Sequence, residues 1–278
     1  MFRKLTLSVA LAAGLLASGA AVAASSVINN PTDLPPVMTK LTQAGVKVLK
    51  EFPAIGKLNG WVLMHENQPA IAYTTPNGKA MLFGPLLSPS GENMTLVYTA
   101  KYAPKPNVDK LMGTLKKEGT IIVLGDKTSK HVIYTFEDPN CIFCHLTDIE
   151  LKPYIQAGLQ VRLIPVGFLK KSSAGKAAAI LQSSNPTKAW EADEAGFNES
   201  EEEGAAVPIA HPKAKTVKEL ETNLRLMQKF GFNGTPGILY KDGKHWTAMN
   251  GMPKIAQLPA ITGLPAQKET DPQLARFQ

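Results

Sequence analysis

Apolar and polar positions alternate before residue 90 in the way that is typical of short strands. The strand-like runs are 46–52, 60–65, 70–74 and 80–87. Pro76-Asn77-Gly78, between the last two runs, is typical of a hairpin turn. An amphipathic stretch at 35–45 precedes the runs and ends at Gly45, which predicts a short helix. We therefore predict a small α+β domain over 25–90 whose strands form an antiparallel meander.

The next region, 91–117, is predicted to be a helical linker. Its helical stretches lie on either side of Ala103-Pro104-Lys105-Pro106. A proline lacks the backbone N–H and restricts the residue before it, so two such prolines interrupt any continuous helix.

From 118 to 278 the pattern changes to longer apolar strands separated by helices. The predicted strands are 120–125, 131–136, 158–168 and 238–241, and the helix that begins at the cysteines is predicted to continue over 147–156. Strand, helix and strand within about forty residues indicate a βαβ unit and so an α/β domain. The segment 172–230 is mainly helical in pattern and is predicted to be an insertion before the chain returns to the sheet.

The first 24 residues have the pattern of a secretory signal. Arg3 and Lys4 precede the apolar run 5–16, and Ala21-Val22-Ala23 matches a cleavage site. A retained anchor is the alternative, although the apolar run is short for a membrane span. We predict that residues 1–24 are removed and that the mature chain works in the oxidising periplasm.

Charge and length set further limits. The chain has 278 residues and a net charge of +7; without Arg3 and Lys4 it keeps 28 basic and 23 acidic residues. The basic residues are not concentrated in one segment, which argues against a nucleic-acid partner. About 250 mature residues suit two domains.

The chain has only two cysteines, and they lie three positions apart. A disulfide that closes so short a loop removes little entropy from the unfolded chain, so it contributes little stability. We infer that Cys141 and Cys144 serve chemistry.

The cysteines lie in E-D-P-N-C-I-F-C-H at 137–145, where an apolar strand gives way to a helix. Unpaired backbone N–H groups and the helix dipole favour a thiolate at a helix N-terminus. We predict that Cys141, at the exposed end, is the nucleophile. Cys144, one turn deeper on the same helical face, is predicted to resolve mixed disulfides.

Other interpretations of the motif remain open at this point. C-I-F-C-H matches the attachment pattern of c-type haem, which predicts an exported electron carrier instead. A structural zinc site needs four ligands, and the chain has no second cysteine pair to supply them. The interpretation as an inert structural disulfide is disfavoured because the loop it closes is short. A non-catalytic periplasmic chaperone or binding protein is a further alternative.

A second motif, Gly234-Thr235-Pro236-Gly237, precedes the strand at 238–241. By itself it indicates a turn that enters a strand. A strand followed by C-x-x-C, a helix and, much later, a Thr-Pro turn before another strand resembles the thioredoxin superfamily. That resemblance implies a cis Pro236 facing the cysteines, with the Thr235 backbone free to pair with an extended substrate segment.

The whole mature chain resembles the DsbC/DsbG family of periplasmic disulfide isomerases, and its DsbG branch most closely. The stretches that carry the resemblance are T-P-N-G-K-A, S-G-E-N, K-A-A-A-I-L-Q-S-S-N-P-T-K-A-W, F-E-D-P-N-C, N-G-T-P-G-I-L-Y and N-G-M-P. The absence of an additional cysteine pair also suits the DsbG branch.

The resemblance implies a cystatin-like N-terminal dimerisation domain and a thioredoxin-like catalytic domain with a helical insertion. It implies Cys141, Cys144, Thr235 and Pro236 as catalytic residues, with no metal or cofactor besides the redox-active cysteine pair. It further implies a homodimer, a membrane reductant of the DsbD type, and exported client proteins with disulfides or sulfenylated cysteines.

Several positions depart from the family pattern. Ile142-Phe143 replaces Pro-Tyr between the cysteines, and Thr135 lies where several thioredoxin-like enzymes have a buried carboxylate. We predict that Glu137 is an exposed turn residue, the alternative being that it partly replaces that carboxylate. His145 is expected either to be solvated or to support the thiolate as a cation.

An acidic run from Glu191 to Glu203 holds seven carboxylates and no basic residue. It is predicted to be a solvated loop of the insertion, the alternative being a patch that binds basic client proteins.

Overall fold

The structure is a computed structural model that describes residues 34–65, 68–268 and 271–277. The predicted signal peptide lies outside these residues. The chain divides between Ala103 and Pro104 into two compact units, within the region predicted to be a linker.

The first unit contains two helices and a four-stranded sheet. Its elements are α1 (Pro36–Gln43), β1 (Lys47–Pro53), β2 (Asn59–His65), β3 (Gln68–Thr74), β4 (Met81–Phe83) and α2 (Met94–Tyr102). The strand order is β1-β2-β3-β4, with β1–β2 and β3–β4 antiparallel, which confirms the predicted meander. The strand predicted over 80–87 is only three residues long, because Gly84 leaves the extended conformation at φ +125°.

Alternating side chains on these strands cover both faces of the sheet. On β2, Trp61 and Leu63 pack with Met38 of α1. Val62 faces the other side and packs with Tyr98 of α2. Because successive strand residues point to opposite faces, each helix seals one side of this small sheet.

The second unit is an α/β structure. Its elements are α3 (Val108–Glu118), β5 (Ile122–Gly125), β6 (Val132–Glu137), α4 (Ile142–Gln156), β7 (Gln160–Pro165), α5 (Ser173–Gln182), α6 (Pro186–Ala195), α7 (Ala214–Lys229), β8 (Gly237–Asp242), β9 (His245–Asn250) and α8 (Leu258–Thr262). The strand order is β5-β7-β6-β8-β9. β6 and β7 are parallel and joined by α4, which confirms the predicted βαβ unit, whereas the other pairs are antiparallel.

Helices cover both faces of this sheet. α4, α6 and α8 pack on one face around Ile133 and Leu163. α3 and α7 pack on the other face around Phe136 and Leu239. The predicted insertion consists of α5, α6 and α7 with a non-helical segment at 196–213.

The sequence interpretation missed the edge strand β9. Its residues, H-W-T-A-M-N, are at least partly exposed throughout, so they lack the long apolar run that marks a buried strand.

Candidate active site

The cysteine pair lies at the first turn of α4. Cys141 is the N-cap residue of this helix, which agrees with its predicted position at the helix N-terminus. Cys141 and Cys144 form a disulfide with their Cα atoms 5.1 Å apart. The backbone N–H of Cys144 donates to Cys141 Sγ at 3.1 Å. After reduction, the same N–H is placed to stabilise a Cys141 thiolate.

Cys141 is more enclosed than the sequence predicts, whereas Cys144 is buried as expected. Cys144 is fully buried, and only 4% of Cys141 is accessible, although it was expected at an exposed end. The reason is the loop before β8, whose Thr235 carbonyl oxygen lies 3.4 Å from Cys141 Sγ. A client sulfur can therefore reach Cys141 only through a narrow opening, whereas Cys144 is sealed.

The loop at 234–237 is held beside the cysteines by the sheet. β8 pairs with β6, with Gly237 opposite Phe136. The Thr235–Pro236 peptide bond is cis, and the Pro236 carbonyl accepts a hydrogen bond from the Gly251 N–H at 2.8 Å. The structure thus brings Cys141, Cys144 and Thr235 together; their catalytic roles remain a prediction.

The turn before Cys141 is fixed by buried polar contacts. The Asp138 carboxylate accepts hydrogen bonds from the backbone N–H groups of Asn140, Phe168 and Leu169. Asp138 itself is fully buried. It therefore joins the turn to the loop that follows β7.

Lys176 of α5 extends this network. Its ammonium group donates to Asn140 Oδ1 at 2.9 Å, to the Gly204 carbonyl at 2.7 Å and to Glu203. Only 4% of Lys176 is accessible. The sequence interpretation missed this lysine, because a single cation in an alanine-rich helix shows no pattern that predicts burial.

The prediction that Glu137 is exposed is wrong. Glu137 ends β6 opposite Pro165 and is fully buried, because α4 covers this end of the strand. Its carboxyl interacts with Asp148 of α4 and with Thr135. Burial raises the pKa of Glu137 well above its ordinary value and the pKa of Asp148 to about 7. The two acids are therefore not both ionised at neutral pH.

Asp148 was also missed by the sequence interpretation, although a signal existed. It follows Cys144 by four residues and therefore lies on the same face of α4. Its Oδ2 accepts a hydrogen bond from Trp190 Nε1 of α6 at 3.0 Å. Glu137 at the end of β6 and Asp148 on α4 thus form a pair of interacting carboxyls; a role for them in place of the carboxylate that Thr135 lacks stays a prediction.

His145 is not solvated, so one of the two expectations for this residue is wrong. It is 8% accessible, and its Nδ1 lies 2.8 Å from Glu194 Oε2. Its ring stacks on Phe197 with centroids 4.4 Å apart. Burial lowers the pKa of His145, which Glu199 and Asp271 partly oppose. A neutral imidazole bound to Glu194 is therefore favoured over a free cation beside the cysteines.

The acidic run at 191–203 is not a uniformly solvated loop, so this prediction is wrong for its first part. Residues up to Ala195 belong to α6, where Asp193 is buried and Glu194 is enclosed against His145. Burial raises the pKa of Asp193 to about 6 and that of Glu194 well above its ordinary value. A charge pattern alone does not reveal which helix face is covered.

Two further observations concern the described residues only. Within 34–65, 68–268 and 271–277, no group of three or more His, Cys, Asp or Glu side chains is arranged to hold a metal ion. In the same part of the chain, no helix is both long enough and apolar enough to span a bilayer.

Comparison with known proteins gives a consistent result. Residues 121–262 match the family model described as a thioredoxin-like domain. The thiol:disulfide interchange protein DsbG of Pseudomonas aeruginosa is 31% identical over 256 residues, which cover 90% of this chain and 93% of the relative. DsbG of Escherichia coli is 30% identical over 85% of this chain and 89% of the relative. DsbC of Haemophilus influenzae is 30% identical over 63% of this chain and 68% of the relative.

These matches agree with the disulfide at the start of α4 and with the α/β architecture around it. The second unit is therefore thioredoxin-like, and its pair Cys141–Cys144 is a thiol–disulfide redox centre of an oxidoreductase. The chain belongs to the DsbC/DsbG family of thiol:disulfide interchange proteins.

Proposed function

We propose that the chain acts in the periplasm on disulfides or sulfenylated cysteines of exported proteins, with Cys141 as nucleophile and Cys144 as resolving thiol. One observation carries the proposal: the disulfide closes the first turn of α4, with Cys144 sealed and Cys141 retaining a small accessible area. A helix N-terminus lowers the pKa of a thiol, so Cys141 gains thiolate character after reduction.

The electrons balance in two displacement steps. The Cys141 thiolate attacks one sulfur of a client disulfide, and the other client sulfur leaves as a thiolate. The Cys144 thiolate then attacks Cys141 Sγ and releases the first client sulfur, so two electrons pass from the cysteine pair to the client. When a client thiol attacks the mixed disulfide instead, the outcome is isomerisation. A client sulfenic acid enters the same sequence with water as the leaving group.

Thr235 and Pro236 are proposed to position the client chain. The Thr235 carbonyl lies 3.4 Å from Cys141 Sγ, so a peptide whose cysteine is attached to that sulfur must run along this loop. Backbone pairing along one extended segment gives affinity that depends little on the client sequence.

The proposal also includes export and a reducing partner. Removal of residues 1–24 would release a soluble protein into the periplasm, where the oxidising conditions favour the disulfide form. A membrane reductant of the DsbD type would then return the pair to the dithiol, since only the dithiol can attack client bonds.

Turnover of a disulfide-containing client tests the function. With an excess of dithiol reductant, the mature protein is expected to accelerate reduction of the client disulfide, and Cys141→Ser is expected to lower the rate on the order of 100-fold or more. Ser183→Ala, remote from the motif in sequence, serves as the control. An unchanged rate in Cys141→Ser would refute the proposed role of this residue.

We further propose an apolar client subsite beside the redox pair. A cavity of about 420 Å³ is lined by Phe143, Thr235 and the segment 251–254. Phe143 lies between the two cysteines in sequence and is 50% exposed. A client cysteine attached to Cys141 would therefore bring its neighbouring side chain to this cavity, and an apolar side chain would bury the Phe143 ring.

Phe143→Ala is expected to lower kcat/KM about tenfold for peptides with leucine or phenylalanine next to the cysteine, because about 1.4 kcal/mol of apolar contact is lost. Peptides with glycine at that position should lose little. Val217→Ala, which removes a partly exposed apolar residue from α7, is the matched control. An equal loss for both kinds of peptide would exclude the subsite.

We also propose that the first unit forms a homodimer interface. Among its described residues, five large apolar side chains are exposed, and they lie on β4 and α2 and between them: Leu82, Phe83, Leu87, Leu96 and Val97. Among the described strands, β4 pairs only with β3 and therefore offers an open edge. An edge strand flanked by exposed apolar residues favours association.

Phe83→Lys is expected to weaken this dimer about 100-fold, because it places a charge within the apolar surface. Sedimentation at micromolar concentration measures the effect. Val207→Lys changes a 79% exposed valine of the second unit and should leave the dimer intact. A monomeric unsubstituted protein, or a Phe83→Lys variant that dimerises normally, would rule out this interface.

A further inference from the structure

Lys176 is a buried cation that the two displacement steps do not use. Its side chain is only 4% exposed, and moving an ammonium group out of water costs free energy that its hydrogen bonds offset only in part. A neutral donor such as an amide would hold the Asn140 oxygen without that cost. The positive charge of this residue therefore needs an explanation beyond hydrogen bonding.

The hydrogen bonds of Lys176 lead to the residue that precedes Cys141. Lys176 Nζ donates to Asn140 Oδ1 at 2.9 Å. The other side of the same amide, Asn140 Nδ2, donates to Ser172 Oγ at 2.9 Å and to Ser173 Oγ at 3.0 Å. Because the amide is bound on both sides, its orientation is fixed. The charge of Lys176 is thus held beside the turn at 138–141, here called the redox turn.

The ion pair of Lys176 is asymmetric in its exposure. The Glu203 carboxylate lies 2.9 Å from Lys176 Nζ, and the two side chains are 41% and 4% exposed, respectively. Solvent and salt screen an exposed charge more strongly than a buried one. The field at the redox turn therefore keeps a positive contribution from Lys176 that Glu203 does not fully cancel.

Carboxyls make up most of the charged groups on the elements packed around the redox turn. Asp193 of α6 interacts electrostatically with both Lys176 and Asp138. Further titratable groups on these elements are Glu137, His145, Asp148, Glu194 and Glu203, together with Lys170 and the exposed Lys254. Without Lys176 this acidic surrounding would disfavour another anion at the turn, such as a thiolate.

We propose that Lys176 is a positioning residue whose charge stabilises the Cys141 thiolate and so shifts the pair towards the dithiol. The proposal rests on the proposed role of Cys141 as nucleophile. Reduction of the disulfide to a Cys141 thiolate and a Cys144 thiol takes up two electrons and one proton. A nearby cation stabilises the thiolate more than the uncharged disulfide, so it favours the reduced form. Lys176 thereby favours the state that attacks client bonds.

Lys176→Met and Glu203→Gln test the proposal, because both break the same ion pair but change the charge in opposite directions. The alkylation rate of Cys141 against pH, in the reduced mature protein at low ionic strength, gives the pKa of this thiol. Lys176→Met should raise this pKa by on the order of one unit, and Glu203→Gln should lower it by about half a unit. Lys218→Met, which makes the same charge change on the exposed surface of α7, should leave it unchanged.

Equilibration with glutathione provides a second measurement. The equilibrium constant for reduction of the pair at neutral pH should fall several-fold in Lys176→Met, because the thiolate is less stable, and should rise in Glu203→Gln. Lys218→Met should again match the unsubstituted protein.

The signs of the shifts separate an electrostatic role from a purely structural one. If the ion pair only held the redox turn in shape, both variants would move the Cys141 pKa in the same direction. Shifts of the same sign, or no shift in either variant, would overturn the proposal and leave Cys141 as the nucleophile. If Lys176→Met does not fold, Glu203→Gln decides alone: a lowered pKa supports the proposal, and an unchanged or raised pKa overturns it. Faster alkylation of Cys144 than of Cys141 would instead contradict the proposed function itself.

Discussion

Cys144→Ser is expected to accumulate covalent complexes with client proteins, whereas Cys141→Ser is expected to trap almost none. In Cys144→Ser, Cys141 remains at the N-cap of α4, where unpaired backbone N–H groups favour its thiolate. It attacks a client disulfide, but no neighbouring thiol displaces the client. In Cys141→Ser, the remaining thiol is fully buried and cannot meet a client sulfur.

Non-reducing electrophoresis of the mature variants with a disulfide client measures this difference, and reductant should dissolve the complexes. We expect trapped protein to differ between the two variants on the order of 100-fold. The alkylation rate of Cys141 against pH should also report a pKa below the free value of about 8.5. Equal trapping by both variants, or faster alkylation of Cys144, would reverse the assigned roles.

The oxidised protein is expected to lose stability as the pH rises from about 5 to about 8. Asp148 has an ordinary pKa of 3.8 and a folded pKa raised to about 7, and Asp193 is raised to about 6. Between the ordinary pKa of 3.8 and the raised pKa of the folded protein, each of these carboxyls binds more protons in the folded state than in the unfolded state. Stability is therefore fully present below the unfolded pKa and is lost as the pH rises through the folded pKa.

At about 1.4 kcal/mol per pKa unit, the loss for the whole cluster is a few kcal/mol. Urea unfolding at pH 5 and pH 8 measures it, and Asp148→Asn should make the two free energies of unfolding more nearly equal. Asp126→Asn is the control, because hydrogen bonds from Thr128 lower the pKa of this exposed carboxyl. The contribution of Asp126 to the free energy of unfolding therefore changes only below about pH 4. A protein more stable at pH 8 than at pH 5 would contradict the assignment of buried acids.

The local features of the redox motif could be predicted from the sequence because they depend on neighbours in the chain. Two residues lie between Cys141 and Cys144, and the strand-to-helix change around them is visible in the hydrophobic pattern. The same holds for the meander of the first unit, whose short strands and intervening turns are visible in the local sequence pattern.

Features that depend on contacts distant in sequence could not be predicted. The sequence around Glu137 is typical of a turn, yet Asp148 of α4 interacts with its carboxyl. Trp190 of α6 in turn donates a hydrogen bond to Asp148. Glu194 lies in an acidic run, yet it is enclosed against His145, 49 positions earlier. Burial of a polar residue is set by which element packs over it, and a single sequence shows only which residues could tolerate exposure.

The position of Lys176 bears on how far the catalytic unit can be reduced by protein engineering. Its ammonium group bridges Asn140, the residue before Cys141, and the backbone of Gly204 near the middle of the insertion. A thioredoxin-like core trimmed of residues 172–230 would lose this cation and leave the Asn140 amide oxygen without its donor. The insertion and the redox turn therefore form one structural module, and grafting the C-x-x-C turn alone onto another scaffold would not carry its support with it.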